Sequence, residues 1–441
     1  MTRTILAALL ATTAAAHADA PRFEAVLKGH AVLPADTLLP APEDAPAFLQ
    51  SSGKFTGEGN RRSLAEPGPG PEMPLAGQPL QGFSGIKAMG DGSYVVLTDN
   101  GFGSKKNSPD AMLFFSVVTP DFDAGSVTVD RTVFLNDPDR VIPFPIVTEA
   151  TDTRYLTGAD LDLEGFQLVG DHIVIGEEFG PFVIVADRET GRIVEFHETV
   201  VDGRTVMSPD NPFLQMADPA SEAAEHDAKR SRGFEGFAGS VDGQTLYPLL
   251  EGPLWRDGEW ETVADGRTAL RILEMKAQSR EWTGNSWLYP LEGADHAIGD
   301  FNMIDETRGL IIERDGGQGD AELACEGDAT EGCFENPARF KRIYLIDMAG
   351  VEPGQPVHKV GHIDLLDMAD PDGIARQGAR EDGRFTFPFV TIEDVDIVDD
   401  SHIIVGNDNN YPFSMGRSAD TQDDNELILL EVGEFLKARA E

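Results

Sequence analysis

The chain has 441 residues, of which 35 are Lys or Arg and 77 are Asp or Glu, so its formal net charge is −42. A surface this acidic repels phosphate backbones and anionic lipid headgroups, which excludes sequence-independent binding of nucleic acid or acidic membranes. The hydrophobic content of 41% excludes wholesale disorder and supports a large core. A small anionic molecule can still bind where a cation or a cluster of basic side chains offsets the charge.

Residues 1–18 have the pattern of a secretory signal. Arg3 supplies the positive start, an apolar stretch runs from Ile5 to Ala16, and Ala16-His17-Ala18 gives the small-x-small pattern of a cleavage site. The apolar stretch is too short to span a bilayer, and no later segment reaches the roughly 18 apolar residues that spanning requires. We therefore expect a periplasmic or secreted protein with no membrane insertion.

Residues 19–80 form a separate N-terminal arm in this interpretation. Positions 40–80 are rich in Pro, Gly and Ser and read as a loop. Before them, the apolar segment from Phe23 to Leu33 is a possible strand that pairs with the end of the chain and closes a ring. The main domain is expected at residues 81–441.

From residue 81 onward one pattern recurs five times. An apolar-acidic-Gly opening leads into a short strand, a turn with Gly, Asp or Asn follows, and a second apolar strand ends in acidic or amide residues. A third strand usually follows, and helical periodicity is almost confined to the tail near Val432 to Ala440. The pattern predicts an all-β protein, a β-propeller of five to six blades. Matching positions lie 65 to 93 residues apart, so the blades must carry long inter-strand loops.

The acidic residues of these hairpins fall in two rows. The start of the first strand lies beside the end of the second, so both rows are expected on one rim around the central channel. The first row comprises Ser84, Glu164, Glu235, Asp300 and Glu393. The second row comprises Asp99, Glu177, Glu178, Glu251, Glu313 and Asp408.

Such a cluster needs protons or cations to be stable. Two carboxylates 4 Å apart repel each other by about 4 kcal/mol at an effective dielectric of 20. Ca²⁺, which accepts six to eight oxygen ligands, suits these rows better than Mg²⁺, and zinc would want His or Cys. We predict Ca²⁺ ligation by the acidic members of both rows. The alternative is a solvated acidic rim on a protein that is acidic throughout.

The motifs in this order resemble the phytase-like family, described as having the esterase-like activity of phytase. The resemblance covers roughly residues 80–432 and departs from the family at Asp394, where Gly is favoured. The matching segments are Phe83-Ser84-Gly85, Leu163-Glu164-Gly165, Glu177-Glu178-Phe179-Gly180-Pro181, Gly233-Phe234-Glu235-Gly236-Phe237, Leu250-Glu251-Gly252-Pro253-Leu254, Leu310-Ile311-Ile312-Glu313-Arg314-Asp315, Lys341-Arg342-Ile343-Tyr344 and Asn407-Asp408-Asn409. The resemblance implies a secreted, calcium-binding propeller that acts on phosphate esters or related small-molecule esters.

Four residues are candidates for catalysis by metal-assisted hydrolysis. Glu235 is a candidate as both metal ligand and catalytic carboxylate. Arg232 and Arg314 would stabilise developing charge, with structural salt bridges as their competing role. His296 would act as a general acid, with an ordinary loop histidine as the alternative. The competing function is a non-catalytic, calcium-stabilised binding module. A serine hydrolase is disfavoured because no Gly-x-Ser-x-Gly motif occurs.

Cys325 and Cys333 are the only cysteines, and they lie in an acidic, loop-like stretch. In an oxidising compartment they are expected to form one local disulfide. A metal site or a thiol nucleophile is the weaker reading, because no His lies at ligand spacing.

Overall fold

The computed structural model describes residues 19–55, 71–214 and 226–440, so the predicted signal segment, residues 1–18, lies outside the described residues. Within those ranges the chain forms five four-stranded antiparallel sheets, blades 1 to 5, whose first strands pack against one another in a closed ring. The prediction of an all-β propeller is confirmed. None of the helices in the described ranges is long and apolar enough to cross a membrane.

The strands of each blade follow one another outward from the channel. Blade 1 consists of Phe83–Ala88, Tyr94–Thr98, Phe114–Asp121 and Ser126–Phe134. Blade 2 consists of Leu163–Val169, His172–Glu177, Phe182–Asp187 and Ile193–Glu198. Blade 3 consists of Phe234–Gly239, Thr245–Leu250, Ala269–Lys276 and Trp282–Pro290. Blade 4 consists of Ala297–Met303, Arg308–Arg314, Lys341–Asp347 and His358–Asp364. Blade 5 consists of Asp394–Ile397, His402–Gly406, Asn425–Glu431 and, from the N-terminal arm, Val26–Leu33.

The N-terminal arm closes the ring. Val26–Leu33 pairs antiparallel with Asn425–Glu431 along its whole length, so blade 5 combines strands from both ends of the chain. Arg22–Phe23 adds a short parallel strand to the outer edge of blade 4. Val32 also forms a parallel bridge with Ser126 of blade 1, and its amide donates to the carbonyl oxygen of Gly125 at 3.2 Å, so backbone contacts join the first and last blades.

Short elements decorate the blades. The two-residue strand pairs are Leu38–Leu39 with Gln78–Pro79, Val200–Val201 with Arg204–Thr205, Trp255–Arg256 with Glu259–Trp260, and Met368–Ala369 with Arg384–Phe385. The 3₁₀ helices are Ala47–Leu49 and Ala321–Leu323. One α-helix, Gly433–Lys437, lies in the tail where helical periodicity was expected, and it buries Phe435 and Leu436.

The core consists of five apolar layers, one between each pair of neighbouring blades. Consecutive side chains of a strand point to opposite faces of its sheet. Accordingly Val96 of blade 1 packs toward Ile404 of blade 5, whereas Leu97 packs toward Ile184 of blade 2. Burying a Val, Leu or Ile completely contributes about 1.5–3 kcal/mol. The second strands therefore read as continuous apolar runs, because both of their faces are covered.

A β-bulge recurs in the first hairpin of blades 1 to 4. In each of them the strand register shifts just after the opening apolar residue, for example between Phe234 and Gly236. A bulge re-aims the side chain at its site. Glycine follows the acid in blade 3 because a Cβ on Gly236 would lie 2.7 Å from the Cβ of Phe301 in blade 4. The bulge thus turns the preceding acidic side chain toward the channel and lets the next blade approach closely.

Candidate metal centre

One end of the channel holds a cavity of about 230 Å³, called here the acidic cavity. Eight carboxyl groups and two guanidinium groups line it. They are Asp99, Asp162, Glu164, Glu178, Glu235, Glu251, Glu393 and Asp408, together with Arg232 and Arg314. Seven of the eight carboxyls belong to the two predicted rows, so the recurring hairpin does bring most of these residues to one place.

The second strands contribute one side chain from every blade. In blades 1 to 4, one residue of the second strand pairs with the opening apolar residue of the first strand. The next residue along the second strand is the one that reaches the cavity. The five cavity residues are Asp99, Glu178, Glu251, Arg314 and Asp408. Arg314 therefore occupies in blade 4 the position that carboxylates hold in the other four blades.

The residues one position earlier point outward and hold their own blade. The Oγ1 of Thr98 donates to the carbonyl oxygen of Phe114 at 2.7 Å. Glu177 is fully buried and accepts hydrogen bonds from the backbone amides of Phe179, Gly180 and Phe182. Glu177 is thus placed outside the acidic cavity, because consecutive strand residues face opposite ways.

Three carboxylates come from the starts of the first strands, two from within a strand and one, Glu393, from the residue just before it. Glu164, Glu235 and Glu393 reach the cavity, and the Oγ of Ser84 donates to Oε2 of Glu393 at 3.1 Å. Blade 4 contributes none, because its bulge places Gly299 at the matching position. A Cβ on Gly299 would overlap the carbonyl oxygen of Ile392, so a side chain has no room there.

Asp300 consequently lies one position away from the cavity row. Its Oδ1 accepts the amide of Phe301 at 2.7 Å and its Oδ2 accepts the amide of Val395 at 3.2 Å. Asp394, the departure from the family pattern, accepts the amide of Gly85 at 3.1 Å in the same way. Asp300 and Asp394 therefore bridge neighbouring blades where blades 1 to 3 have glycine.

The cavity carboxyls are close enough to share a cation. Three sets of three offer oxygens that all lie within 4.8 Å of one another: Asp162, Glu164 and Glu178; Glu164, Glu235 and Glu393; and Glu178, Glu235 and Glu251. One oxygen each of Glu178 and Glu235 is buried without a hydrogen-bond partner. Buried polar atoms are normally paired, so these two oxygens lack something that a ligand would supply.

Burial and mutual repulsion disfavour ionisation of these groups. Burial, reinforced by neighbouring carboxylates, raises the pKa of Glu164 and Glu235 well above its usual range. The same causes raise the pKa of Glu178 well above normal, and burial raises that of Asp162 to about 7. Carboxyls in this state either hold protons or gather around a cation.

Two arginines offset part of the negative charge. Burial lowers the pKa of Arg314, but nearby glutamates outweigh it and raise that pKa overall. Its Nη2 lies 2.7 Å from Oε1 of Glu393, 3.7 Å from Glu251 and 3.8 Å from Glu235. Arg232 pairs with Glu251 at the mouth, where 39% of its side chain remains exposed. Two cations leave most of the eight carboxyls uncompensated.

Glu313 and His296 form a separate cluster outside the cavity lining. The Nδ1 of His296 lies 2.8 Å from Oε1 of Glu313, and Lys359 and Tyr289 each contact Oε2 at 2.8 Å. Burial raises the pKa of Glu313, but Lys359 and His296 overcome that effect and lower it to about 2. The structure thus places the predicted general acid against a paired carboxylate.

Polar side chains fill the channel below the cavity. The Nζ of Lys87 donates to Asn302 at 2.9 Å and to Asp396 at 3.0 Å, and the Nε2 of Gln167 reaches Asn302 at 2.7 Å. These contacts join four blades across the axis. Lys87 therefore belongs to the polar contacts that cross the channel.

Asp162 is the cavity carboxylate that the repeat pattern did not reveal. It precedes the opening Leu163 of blade 2, and the other four copies carry no acid at that position. Its Oδ1 accepts the side-chain amide of Asn100 at 2.8 Å, which fixes it beside blade 1. The alternation of Asp160, Asp162 and Glu164 was the one available signal, since alternate residues share a face.

The donor set suits a hard divalent cation. All eight titratable acids of the cavity offer oxygen, and among the described residues its lining contains neither His nor Cys. Oxygen-only sites are typical of Ca²⁺ and Mg²⁺, whereas zinc sites usually include nitrogen or sulfur. The buried acidic clusters could therefore hold a metal ion.

Comparisons with known proteins support the resemblance seen in the motifs. The model of the phytase-like family, described as esterase-like activity of phytase, matches residues 78–411. Comparison with curated protein sequences finds no significant match to this chain.

Solved structures give only remote likenesses. The periplasmic gluconolactonase PpgL of Pseudomonas aeruginosa is 12% identical, with a TM-score of 0.31 over 79% of this chain and 88% of that one. A luciferin-regenerating enzyme is 8% identical, with a TM-score of 0.32 over 82% and 95%. The Dos1 propeller is 9% identical, with a TM-score of 0.30 over 81% and 70%.

Proposed function

We propose that this chain, which belongs to the phytase-like family, is a secreted, calcium-dependent hydrolase of phosphate monoesters or related small-molecule esters. The observation that carries the proposal is the acidic cavity itself, in which seven buried carboxyls and the half-buried Asp99 converge with two arginines. Such an excess of buried carboxyls is costly unless cations neutralise it.

Calcium would be held by the overlapping carboxyl sets. Glu164, Glu178 and Glu235 each belong to two of the three sets and are the central ligands; Asp162, Glu251 and Glu393 complete them. Bound there, calcium would offset the charge of the substrate and polarise the ester. Asp99 and Asp408 line the same cavity and would complete its oxygen surface.

The chain's own residues bind and orient the substrate. Arg232 stands at the mouth with part of its side chain exposed, and we propose that its guanidinium donates to an anionic oxygen of the entering ester. Arg314 is held by Glu393 and fixes the positions of the carboxylates around it. In hydrolysis the oxygen of water forms a bond to phosphorus, the phosphorus–oxygen bond to the alcohol breaks, and a proton of the water passes to the departing oxygen.

The proposed location follows from two features. Residues 1–18 carry the signal pattern, and Cys325 and Cys333 form a disulfide. Disulfides persist in oxidising compartments such as the periplasm. Secretion would also bring the cavity into contact with millimolar concentrations of calcium, which weak extracellular sites require.

The test is hydrolysis of an aryl phosphate and an aryl carboxylate ester, each with added Ca²⁺ and with a chelator. Turnover is expected with Ca²⁺, to be lost on chelation, and to fall at least 100-fold in Glu235→Gln. Glu434→Gln, which changes an exposed carboxyl on the tail helix, is the matched control and should keep full activity. Chelator-resistant turnover would contradict the proposal.

A calcium-stabilised binding module is the second candidate, and the ion pairing of Arg314 with three glutamates favours it. An arginine whose guanidinium is paired with several glutamates can stabilise the folded metal site without taking part in a reaction. In that case Ca²⁺ would raise the unfolding temperature, Glu235→Gln would abolish that rise, and neither ester would turn over above the blank.

A further inference from the structure

A second, larger depression adjoins the acidic cavity. It has a volume of about 890 Å³ and is called here the side groove. One wall is the segment 316–336 and the other is the segment 413–419. Thr391 and Asn410 line both the side groove and the acidic cavity, so the two spaces are immediate neighbours. A molecule whose ester lies in the cavity would extend into the side groove.

The walls of the side groove are held in place. The disulfide between Cys325 and Cys333 closes the first wall on itself, and the amide of Cys325 donates to the carbonyl of Phe334 at 3.0 Å. The second wall is anchored by Asp423, which accepts the amide of Gly416 at 2.7 Å. The amide of Met415 donates to Oε1 of Gln318 at 3.3 Å and ties the walls together. The depression is thus a built feature of the fold.

Neutral hydrogen-bonding groups and aromatic rings line this groove. The amides and hydroxyls are Gln318, Thr330, Asn336, Thr391, Asn410 and Ser414. Phe334 and Phe413 add apolar surface between them. Amides and hydroxyls both donate and accept, which matches alcohol groups, while ring faces pack against the C–H surface of a polyol or sugar.

The charges of the side groove also favour an uncharged ligand. Its lining, in the described part of the chain, contains Glu331 and Glu335 but no Lys, Arg or His. Each additional phosphate monoester brings a charge of about −1.5 to −2 at pH 7. Such groups would face two exposed carboxylates with no cation to receive them, so a polyphosphorylated substrate is disfavoured.

We propose, on the basis of the function proposed above, that the side groove binds the uncharged, hydroxyl-rich part of a phosphate monoester. The substrate class is a sugar or polyol monophosphate, whose single phosphate enters the acidic cavity. Inositol polyphosphates are a poor fit, although the family takes its description from phytase. Thr391 stands at the junction, where its Oγ1 donates to the carbonyl of Asp408 at 3.0 Å.

The kinetic experiment compares three substrates on the calcium-loaded protein. We expect kcat/KM for glucose 1-phosphate to exceed that for myo-inositol hexakisphosphate at least 10-fold, with p-nitrophenyl phosphate as the reference. Changing Glu331→Lys and Glu335→Lys together should raise the ratio of inositol hexakisphosphate turnover to glucose 1-phosphate turnover about 10-fold. A wild-type preference for inositol hexakisphosphate would overturn the proposal.

A binding experiment separates the groove from the chemistry. In calorimetric titration with Ca²⁺ present, the methylene phosphonate analogue of glucose 1-phosphate, which cannot be hydrolysed, should bind at least 10-fold more tightly than methylphosphonate, and Asn336→Leu should remove that advantage. Asn336 is exposed, so this change is not expected to impair folding. If no ester is hydrolysed but the sugar-containing ligand still binds more tightly, the proposed hydrolase function is wrong and the proposed binding role of the side groove is supported. Equal affinities in the wild type would overturn the groove.

Discussion

Two sets of buried carboxyls in this protein behave in opposite ways. The acids of the acidic cavity face one another, and burial with mutual repulsion raises the pKa of Glu164 well above normal. Glu313 and Glu426 are just as buried, but each has its own cations. Burial raises their pKa too, yet Lys359 for Glu313 and Arg417 for Glu426 overcome it and lower both to about 2.

The difference shows that pairing, and not burial, separates a structural acid from a candidate ligand. Glu426 lies 2.6 Å from Arg417 and 2.9 Å from His30, so its charge is satisfied within the protein. Glu178 and Glu235 each keep one buried oxygen without a hydrogen-bond partner. In a protein with 77 acidic residues, this criterion narrows the set of candidate ligands where acidity alone does not, although it also marks Asp394, which bridges two blades.

The largest expected effect is that of pH, and it should separate the two sets. Cavity groups such as Asp162, with a pKa raised to about 7, stabilise the fold at low pH and lose that contribution as pH rises through 7. The metal-free protein should therefore unfold at progressively lower temperature from pH 4 to pH 8, and Ca²⁺ should suppress that fall. Thermal unfolding across this range, with and without chelator, measures it.

Below pH 4 the paired set should dominate. Glu313 and Glu426, with pKa values of about 2, contribute stability that is present above the ordinary value and lost as pH falls through 2. A metal-free protein whose stability rises steadily from pH 4 to pH 8 would contradict the assignment of the cavity set.

The next effect breaks a pair. Lys359→Met keeps the length of the side chain but leaves Glu313 buried without its closest cation, which should cost about 3–5 kcal/mol of unfolding free energy. Denaturant unfolding measures the loss. Lys437→Met removes an exposed partner of Glu434 and serves as control, with an expected change below about 0.5 kcal/mol. Equal losses of unfolding free energy in the two variants would contradict the view that Glu313 depends on its buried cation.

The smallest expected effect comes from making the same substitution, Glu to Gln, in each of the two sets of acids. Without metal at neutral pH, Glu164→Gln removes the cost of either protonating this carboxyl or keeping it charged beside other acids, and should raise stability by about 1 kcal/mol, the scale of one pKa unit. Glu313→Gln instead removes a charge that its partners need and should lower stability. Opposite signs in denaturant unfolding sharpen the comparison, whereas destabilisation by Glu164→Gln in chelator would count against the metal site.

The recurring hairpin pattern in the sequence was enough to predict most of the fold and most of the residues of the acidic cavity. Turn residues and apolar runs placed all five first strands and the closing strand Val26–Leu33, because these signals are local. The same pattern wrongly predicted Asp300 as a cavity residue, whereas the bulge puts Gly299 at the matching position. The sequence does not show which residue of a bulge faces the channel. It also gave no means to choose between Glu177 and Glu178 at the end of one strand.

Composition and repetition by themselves determined the all-β propeller, its acidic character and the rows of carboxylates, since strand alternation and turn chemistry act over a few residues. Only the tertiary structure decided which acids meet a cation and which meet one another. Arg314 and Glu393, or Glu164 and Glu235, come from different blades and are brought together by blade packing, and electrostatic pairing depends on distance in space.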